Sequence, residues 1–97
     1  MADRPLPDLI LYGRADCSLC DQTRDLVRTL LDDRRSRDLP TPTLVERDID
    51  ADPAWQAAFF ASIPVVELGD RRVEMVTSLG SLRRLFAEVL DDQPTTA

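Results

Sequence analysis

Histidine and lysine are both absent from this chain of 97 residues, and cysteine occurs only twice. Without histidine, the chain has no Cys–His or Ser–His catalytic pair and no imidazole to bind a metal. Without lysine, it has neither a Schiff-base nucleophile nor the lysine of a phosphate-binding P-loop. Cys17 and Cys20 are therefore the only soft nucleophiles that the sequence offers.

Long apolar runs and an excess of positive charge are lacking as well. No stretch approaches the roughly 20 apolar residues of a transmembrane helix. The run Leu9-Ile10-Leu11 is too short for the core of a signal peptide. The formal net charge of −6 argues against binding to nucleic acid. We therefore expect a cytoplasmic protein with no nucleic-acid partner and no membrane partner.

The composition suits one small domain. Hydrophobic residues make up 43% of the chain and charged residues 31%, which allows a modest core and argues against disorder. We expect a single domain over residues 1–97 and a monomer. Residues 1–7, which contain two prolines, and the polar residues 91–97 are expected to be loose tails.

The apolar patterns predict an α/β fold with the order β-α-β-α-β-β-α. Because a helix links the first two strands, these strands should be parallel, while Gly69-Asp70 should close an antiparallel hairpin. The expected result is a mixed four-stranded sheet with helices on both faces. Strands are predicted at 9–12, 43–50, 65–68 and 72–76, and helices at 17–31, from 53 onwards, and at 80–90.

Several side chains have predicted positions within these elements. Asp16 or Ser18 should cap the first helix, and Leu19 should belong to its apolar stripe. Residues 32–38, which are mostly charged, should form a solvated helix end or a loop. In and after the second helix, the residues expected to lie in the core are Trp55, Ala58, Phe59 and Phe60.

The two cysteines form a CxxC motif, Cys17-Ser18-Leu19-Cys20, where the first strand leads into the first helix. Haem attachment needs a histidine at the position of Asp21, and a structural zinc site needs four ligands. A redox dithiol fits better, because residues three apart on a helix lie on one face and can close a disulfide. We predict no bound metal, with Cys17 as the nucleophile and Cys20 as the resolving thiol.

The position of Cys17 at a helix start should favour its thiolate, so its thiol pKa is expected to lie below about 8.5. Arg14 should add to this effect, whereas Asp16 and Asp21 oppose it, and the balance stays open. Ile63-Pro64 precedes the third strand, and a proline bond at that place can be cis. In this arrangement Pro64 can meet the end of the first strand, where Cys17 lies.

Three segments carry a resemblance to a known family: residues 11–20, Asp48-Ile49-Asp50 and Ser62-Ile63-Pro64-Val65-Val66. Together they resemble the glutaredoxin-like branch of the thioredoxin-fold superfamily, particularly its small bacterial members, over residues 8–90. The resemblance implies a thioredoxin-like fold of the glutaredoxin type. It also implies a thiol–disulfide oxidoreductase in which Cys17 attacks and Cys20 resolves.

The resemblance further assigns substrate-binding residues. Arg14 matches a residue that contacts the carboxylate of a thiol substrate, and Pro64 matches a cis-proline. The backbone of Ile63, which precedes this proline, would pair with the substrate peptide. Thr77 and Ser78 match positions that hold the γ-glutamyl end of glutathione. Alternatively, Arg14 is a solvated surface residue, and Thr77 and Ser78 only cap the last helix.

Two departures from the family pattern concern the glutathione site. Ser18-Leu19 stand where Pro-Tyr is usual, and Glu74 and Met75 stand where Gly-Gly is usual. A carboxylate and a large side chain there would obstruct or repel glutathione.

The predicted function is reduction of disulfides in proteins or small molecules, with no cofactor. The expected partners are disulfide-containing proteins or small thiols, with glutathione or another small thiol as a candidate co-substrate. Two alternatives stay open. One is a domain that binds a metal or an iron–sulfur cluster through its thiolates, and the other is a thioredoxin-like domain that binds partners without turnover.

Overall fold

The computed structural model describes residues 6–91. It contains four strands, three α-helices, a 3₁₀ turn at Ile49–Ala51 and a π turn at Ala87–Asp91. The strands are β1 (Leu9–Gly13), β2 (Leu44–Asp48), β3 (Val65–Leu68) and β4 (Arg71–Val73). The α-helices are α1 (Ser18–Ser36), α2 (Pro53–Phe59) and α3 (Leu79–Phe86).

The four strands form one sheet in the order β2-β1-β3-β4. Strand β1 runs parallel to β2 and antiparallel to β3, and β4 is antiparallel to β3. The predicted mixed sheet is therefore confirmed, and the fold is thioredoxin-like. The carboxyl end of β1, at Gly13, leads directly to the segment that holds Cys17.

Alternate residues of the strands form two cores, one on each face of the sheet. Leu9 and Leu11 point to the face that α1 and α3 cover, whereas Tyr12 points to the face that α2 covers. The larger core contains Leu9, Leu11, Val27, Leu30, Leu31, Val66, Leu68, Val76, Leu82, Leu85 and Phe86. The smaller core contains Tyr12, Ile49, Phe59 and Val65, with Ile10, Trp55 and Ile63 at its margin.

The start of α1 differs from the prediction. Neither Asp16 nor Ser18 caps the helix; Cys17 is the N-cap, and its sulfur accepts a hydrogen bond from the Cys20 amide. Asp16 lies just before it with a φ of 60°. Aspartate tolerates this left-handed conformation better than most residues, so it turns the chain from β1 into the helix.

Helix α1 is also longer than predicted, because it continues to Ser36. The reason lies in Arg34, which is only 6% exposed. Its guanidinium donates to the Pro40 carbonyl over 2.7 Å and to both carboxylate oxygens of Asp91 over 2.7 and 3.0 Å. Most of the charged run 32–38 therefore belongs to the last turn of α1. Asp91, which was expected in a loose tail, is held by its hydrogen bonds to Arg34.

Three apolar residues lie on the surface instead of in the core. Leu19 is 41% exposed and Phe60 is 64% exposed, and Ala58 is exposed as well. Strands β2 and β4 end earlier than predicted, and α3 gives way to the π turn after Phe86. Of the predicted loose tails, residues 1–5 and 92–97 lie outside the described residues. None of the helices described is long and apolar enough to cross a membrane.

Candidate functional site

The two cysteines form a disulfide at the start of α1, with their Cα atoms 5.2 Å apart. Cys17 is partly exposed, whereas Cys20 has no exposed surface. The Cys20 amide donates to the Cys17 sulfur over 3.1 Å. In the reduced protein the same amide and the helix dipole would favour negative charge on Cys17. The accessible sulfur is thus the one placed to react first.

Cys20 packs closely against Gly13, which has no side chain. A Cβ atom on Gly13 would lie 3.2 Å from both the Cβ and the sulfur of Cys20, which is closer than such atoms normally approach. A side chain at Gly13 would therefore force Cys20 to shift by a few tenths of an ångström. Sequence analysis missed this role, although a glycine at the end of a buried strand and just before a CxxC motif is a signal of close approach.

Pro64 lies at the neighbouring strand end. The Ile63-Pro64 peptide bond is cis, and Pro64 is fully buried. Tyr12 pairs with Val65 in the β1–β3 ladder, so the register continued by one residue places Pro64 beside Gly13. Neither the amide nor the carbonyl of Ile63 has a hydrogen-bond partner among residues 6–91. The backbone at Ile63 is therefore open to pairing with another chain.

The segment before α3 is tied to both of these elements. The amides of Met75 and Val76 donate to the carbonyls of Ser62 and Pro64 over 2.9 and 3.1 Å. The hydroxyl of Thr23, one turn beyond Cys20 on α1, donates to the Val76 carbonyl over 2.6 Å. These bonds join the dithiol helix, the Pro64 turn and the segment 74–76 into one site. Sequence analysis missed Thr23, whose only signal is a hydroxyl within an apolar helix stripe.

Arg14 lies close to the dithiol but is not free. Together with Gly13 and Cys20 it lines a cavity of about 240 Å³. One of its nitrogens donates to both carboxylate oxygens of Asp50, over 2.9 and 3.2 Å. Arg14 therefore lies beside the dithiol with its charge paired by Asp50.

The charges next to the dithiol are paired unequally. Arg24 donates to Asp21 and to Glu46, and the pKa of Arg24 is raised, first by its hydrogen bond to Glu46 and then by that to Asp21. Asp21 is thus partly neutralised. Asp16, in contrast, has no salt-bridge partner among the described residues.

Thr77 and Ser78 stand just before α3, and both are exposed. Ser78 is the N-cap: its hydroxyl oxygen accepts from the Ser81 amide over 3.1 Å and donates to the Ser81 hydroxyl over 3.0 Å. Ser78 therefore caps the start of α3, as one of the two interpretations predicted. For Thr77 the structure shows exposure and no hydrogen bond of its side chain within residues 6–91.

A metal site is not prearranged in the part of the chain that is described. Within residues 6–91, no three histidine, cysteine, aspartate or glutamate side chains come together as metal ligands would.

Two solved structures are similar to this chain. An X-ray structure of protein XcR50 from X. campestris has a TM-score of 0.64 at 26% sequence identity, covering 82% of this chain and 96% of the other. A solution NMR structure of protein Ne2328 from Nitrosomonas europaea has a TM-score of 0.54 at 23% identity, covering 76% and 81%. The second likeness shows the fold alone.

A comparison with curated proteins returned no match. The model of the glutaredoxin-like domain (DUF836) matches residues 8–91, which hold the CxxC pair and every element of the sheet. A thiol-redox role fits both this match and the Cys17–Cys20 disulfide. The chain therefore belongs to the glutaredoxin-like domain family.

Proposed function

We propose that this protein is a dithiol thiol–disulfide oxidoreductase that reduces disulfides of proteins or small molecules. The observation that carries this proposal is the unequal burial of the two sulfurs in one disulfide. Cys17 is partly exposed and accepts a hydrogen bond from the Cys20 amide, whereas Cys20 is buried against Gly13. The Cys17 sulfur can meet a substrate, whereas Cys20 has no exposed surface and lies next to Cys17, where it can resolve the mixed disulfide.

The reaction begins with the reduced protein. The Cys17 thiolate attacks one sulfur of a substrate disulfide, forming a mixed disulfide and releasing the other sulfur as a thiolate, which takes up a proton from water. Cys20 then loses its proton and attacks Cys17. The Cys17–Cys20 disulfide forms, and the second substrate sulfur leaves as a thiol. Two electrons pass from the protein dithiol to the substrate.

The protein must then be reduced again. Two equivalents of a small thiol, or one of a dithiol reductase, return it to the reduced form and are themselves oxidised to a disulfide. Since the sulfurs carry the electrons, the proposed mechanism needs no resident cofactor. Glutathione is one candidate for the small thiol. We propose that the protein acts as a cytoplasmic monomer.

Substrate contacts are proposed for four further places. The open amide and carbonyl of Ile63 would pair with an extended substrate next to Pro64, as in the addition of a β-strand. Arg14 would contact a substrate carboxylate after exchange of its partner Asp50. Thr77 and the Ser78 segment would bind the polar end of a small thiol substrate.

The test uses the reduced protein and bis(2-hydroxyethyl) disulfide, with released thiols measured spectrophotometrically. Cys17→Ser should abolish the reduction. Cys20→Ser should accumulate a mixed disulfide on Cys17, visible as added mass. Exchange of these two outcomes would reverse the roles, and no reduction by the wild-type protein would overturn the proposed function.

A further inference from the structure

Large apolar side chains are exposed at five places among the described residues, and three of them lie on segments that hydrogen bonds link to the dithiol helix. Those five are Leu6, Leu19, Leu39, Phe60 and Met75. Leu19 lies between the two cysteines, and Thr23, four residues later on the same helix face, is bonded to Val76. Met75 precedes Val76, and its amide donates to Ser62, in the turn that Phe60 begins. We call Leu19, Phe60 and Met75 the apolar rim.

Met75 adopts a conformation that its side chain makes costly. Its φ is 52°, in the left-handed region that glycine occupies readily and a long side chain does not. Burial does not offset this cost, because Met75 is 53% exposed. The hydrogen bonds from the amides of Met75 and Val76 to Ser62 and Pro64 hold the backbone in this turn. They leave the Met75 side chain exposed, where it is available for contact with another molecule.

Two carboxylates near the apolar rim have no salt-bridge partner within residues 6–91, whereas the arginines nearby are engaged. Arg47 lies over the rings of Tyr12 and Trp55 and donates to the Tyr12 hydroxyl. Arg14 and Arg24 are each tied to carboxylates, namely Asp50 for Arg14 and Asp21 and Glu46 for Arg24. Asp16 and Glu74 have no salt-bridge partner among residues 6–91, and both are exposed. An anionic substrate such as glutathione disulfide would be repelled here, and a cationic one attracted.

We propose that the substrate of this site is a protein segment with apolar and basic residues on either side of its disulfide. The apolar rim would bury the apolar side chains, Asp16 and Glu74 would attract the basic ones, and the open backbone of Ile63 would pair with the segment. This inference rests on the proposed function and narrows it to one substrate class. It assigns a role in substrate choice to three residues that make no contribution to the core.

The experiment compares three disulfides as substrates of the reduced protein. The first is the disulfide-linked dimer of the peptide Arg-Leu-Cys-Leu, the second is the dimer of Glu-Ser-Cys-Ser, and the third is bis(2-hydroxyethyl) disulfide. The expected kcat/KM for the basic apolar dimer exceeds that for the acidic dimer by about tenfold or more, since apolar burial and charge act together.

Variants separate binding from chemistry. Phe60→Ser and Met75→Gly should each raise the KM of the basic apolar dimer several-fold and leave the rate with bis(2-hydroxyethyl) disulfide within about twofold, because that small substrate buries little area. Met75→Gly should also unfold at the same temperature as the wild type or higher, since glycine relieves the left-handed strain. Leu39→Ser, an exposed leucine beyond the far end of α1, is the matched control and should change neither rate.

Reversal of charge gives a second readout. Glu74→Arg should lower kcat/KM for the basic dimer and raise it for the acidic dimer, and added salt should diminish both changes. Equal use of the two dimers by the wild type, or unchanged KM values in Phe60→Ser and Met75→Gly, would overturn the inference while leaving the proposed function intact. Failure to reduce bis(2-hydroxyethyl) disulfide would instead overturn the proposed function.

Discussion

The Thr23 hydroxyl donates a 2.6 Å hydrogen bond to the carbonyl of Val76, and Thr23 is wholly buried. This contact crosses 53 residues of sequence and joins the dithiol helix to the segment before α3. The Val76 amide in turn donates to the Pro64 carbonyl. Val76 is thus bonded through its carbonyl to the dithiol helix and through its amide to the Pro64 turn. Hydrogen bonds at Val76 therefore connect the dithiol helix, the Pro64 turn and the segment before α3.

Thr23→Val should destabilise the protein by about 1–2 kcal/mol, because the Val76 carbonyl would be left buried without its donor. Thr29→Val, at an exposed position of the same helix, should have a much smaller effect. Urea unfolding of the two variants measures the difference. Equal stability of the two variants would contradict a structural role for the Thr23 bond.

Gly13→Ala should impair the dithiol, because the new Cβ would lie 3.2 Å from the sulfur of Cys20. We expect a destabilisation of about 1–3 kcal/mol from overpacking, and slower closure of the disulfide. Gly80→Ala is the matched control, since nothing lies within 4 Å of its added Cβ and alanine favours the helix. Stopped-flow measurement of disulfide closure distinguishes the two variants, and identical rates would be evidence against the constraint.

Asp91→Asn should destabilise the protein at neutral pH by about 1–2 kcal/mol, because Arg34 would keep its burial and lose a charged acceptor. The hydrogen bond from Arg34 holds the pKa of the Asp91 carboxyl below its ordinary value. The stabilisation by the Arg34–Asp91 pair is thus fully present above about pH 4, which is near the ordinary pKa of aspartate. It is lost as the pH falls through the lowered pKa of Asp91 in the folded protein. The unfolding free energies of wild type and variant should therefore converge in acid; a constant difference down to pH 2 would contradict this linkage.

Asp50→Asn should release Arg14 for a substrate carboxylate. We expect a lower KM for glutathione disulfide and a loss of stability below about 1 kcal/mol, because the Arg14–Asp50 pair is exposed and such pairs contribute little. Asp32→Asn removes a comparable exposed pair with Arg35, far along α1, and should leave the KM unchanged. Steady-state kinetics at low salt provides the comparison, and an unchanged KM in Asp50→Asn would show that Arg14 takes no part.

The order of the elements and the position of the CxxC pair follow from local sequence. Apolar runs, prolines and the turn at Gly69 mark them without knowledge of the rest of the chain. The features that were missed depend on distant partners. Helix α1 extends past Leu31 because Arg34 finds Pro40 and Asp91, and Gly13 matters because Cys20 packs on it.

Periodicity also misplaced Leu19 and Phe60. A helical stripe predicts which side of a helix is apolar, but it does not show whether another element covers that side at each turn. Helix α3 covers α1 further along, whereas at the first turn Leu19 stays 41% exposed. The apolar pattern of a helix therefore could not distinguish the exposed Leu19 and Phe60 from residues of the core.

The sulfur of Cys17, the proposed nucleophile, also caps the start of α1, since it accepts the amide hydrogen of Cys20. Serine at position 17 keeps an acceptor at the N-cap, whereas alanine removes acceptor and nucleophile together. Loss of activity in Cys17→Ala could therefore result either from the missing nucleophile or from fraying of the first turn of α1. The serine replacement is the cleaner knockout, and the stability gap between the two replacements would give the worth of the cap alone.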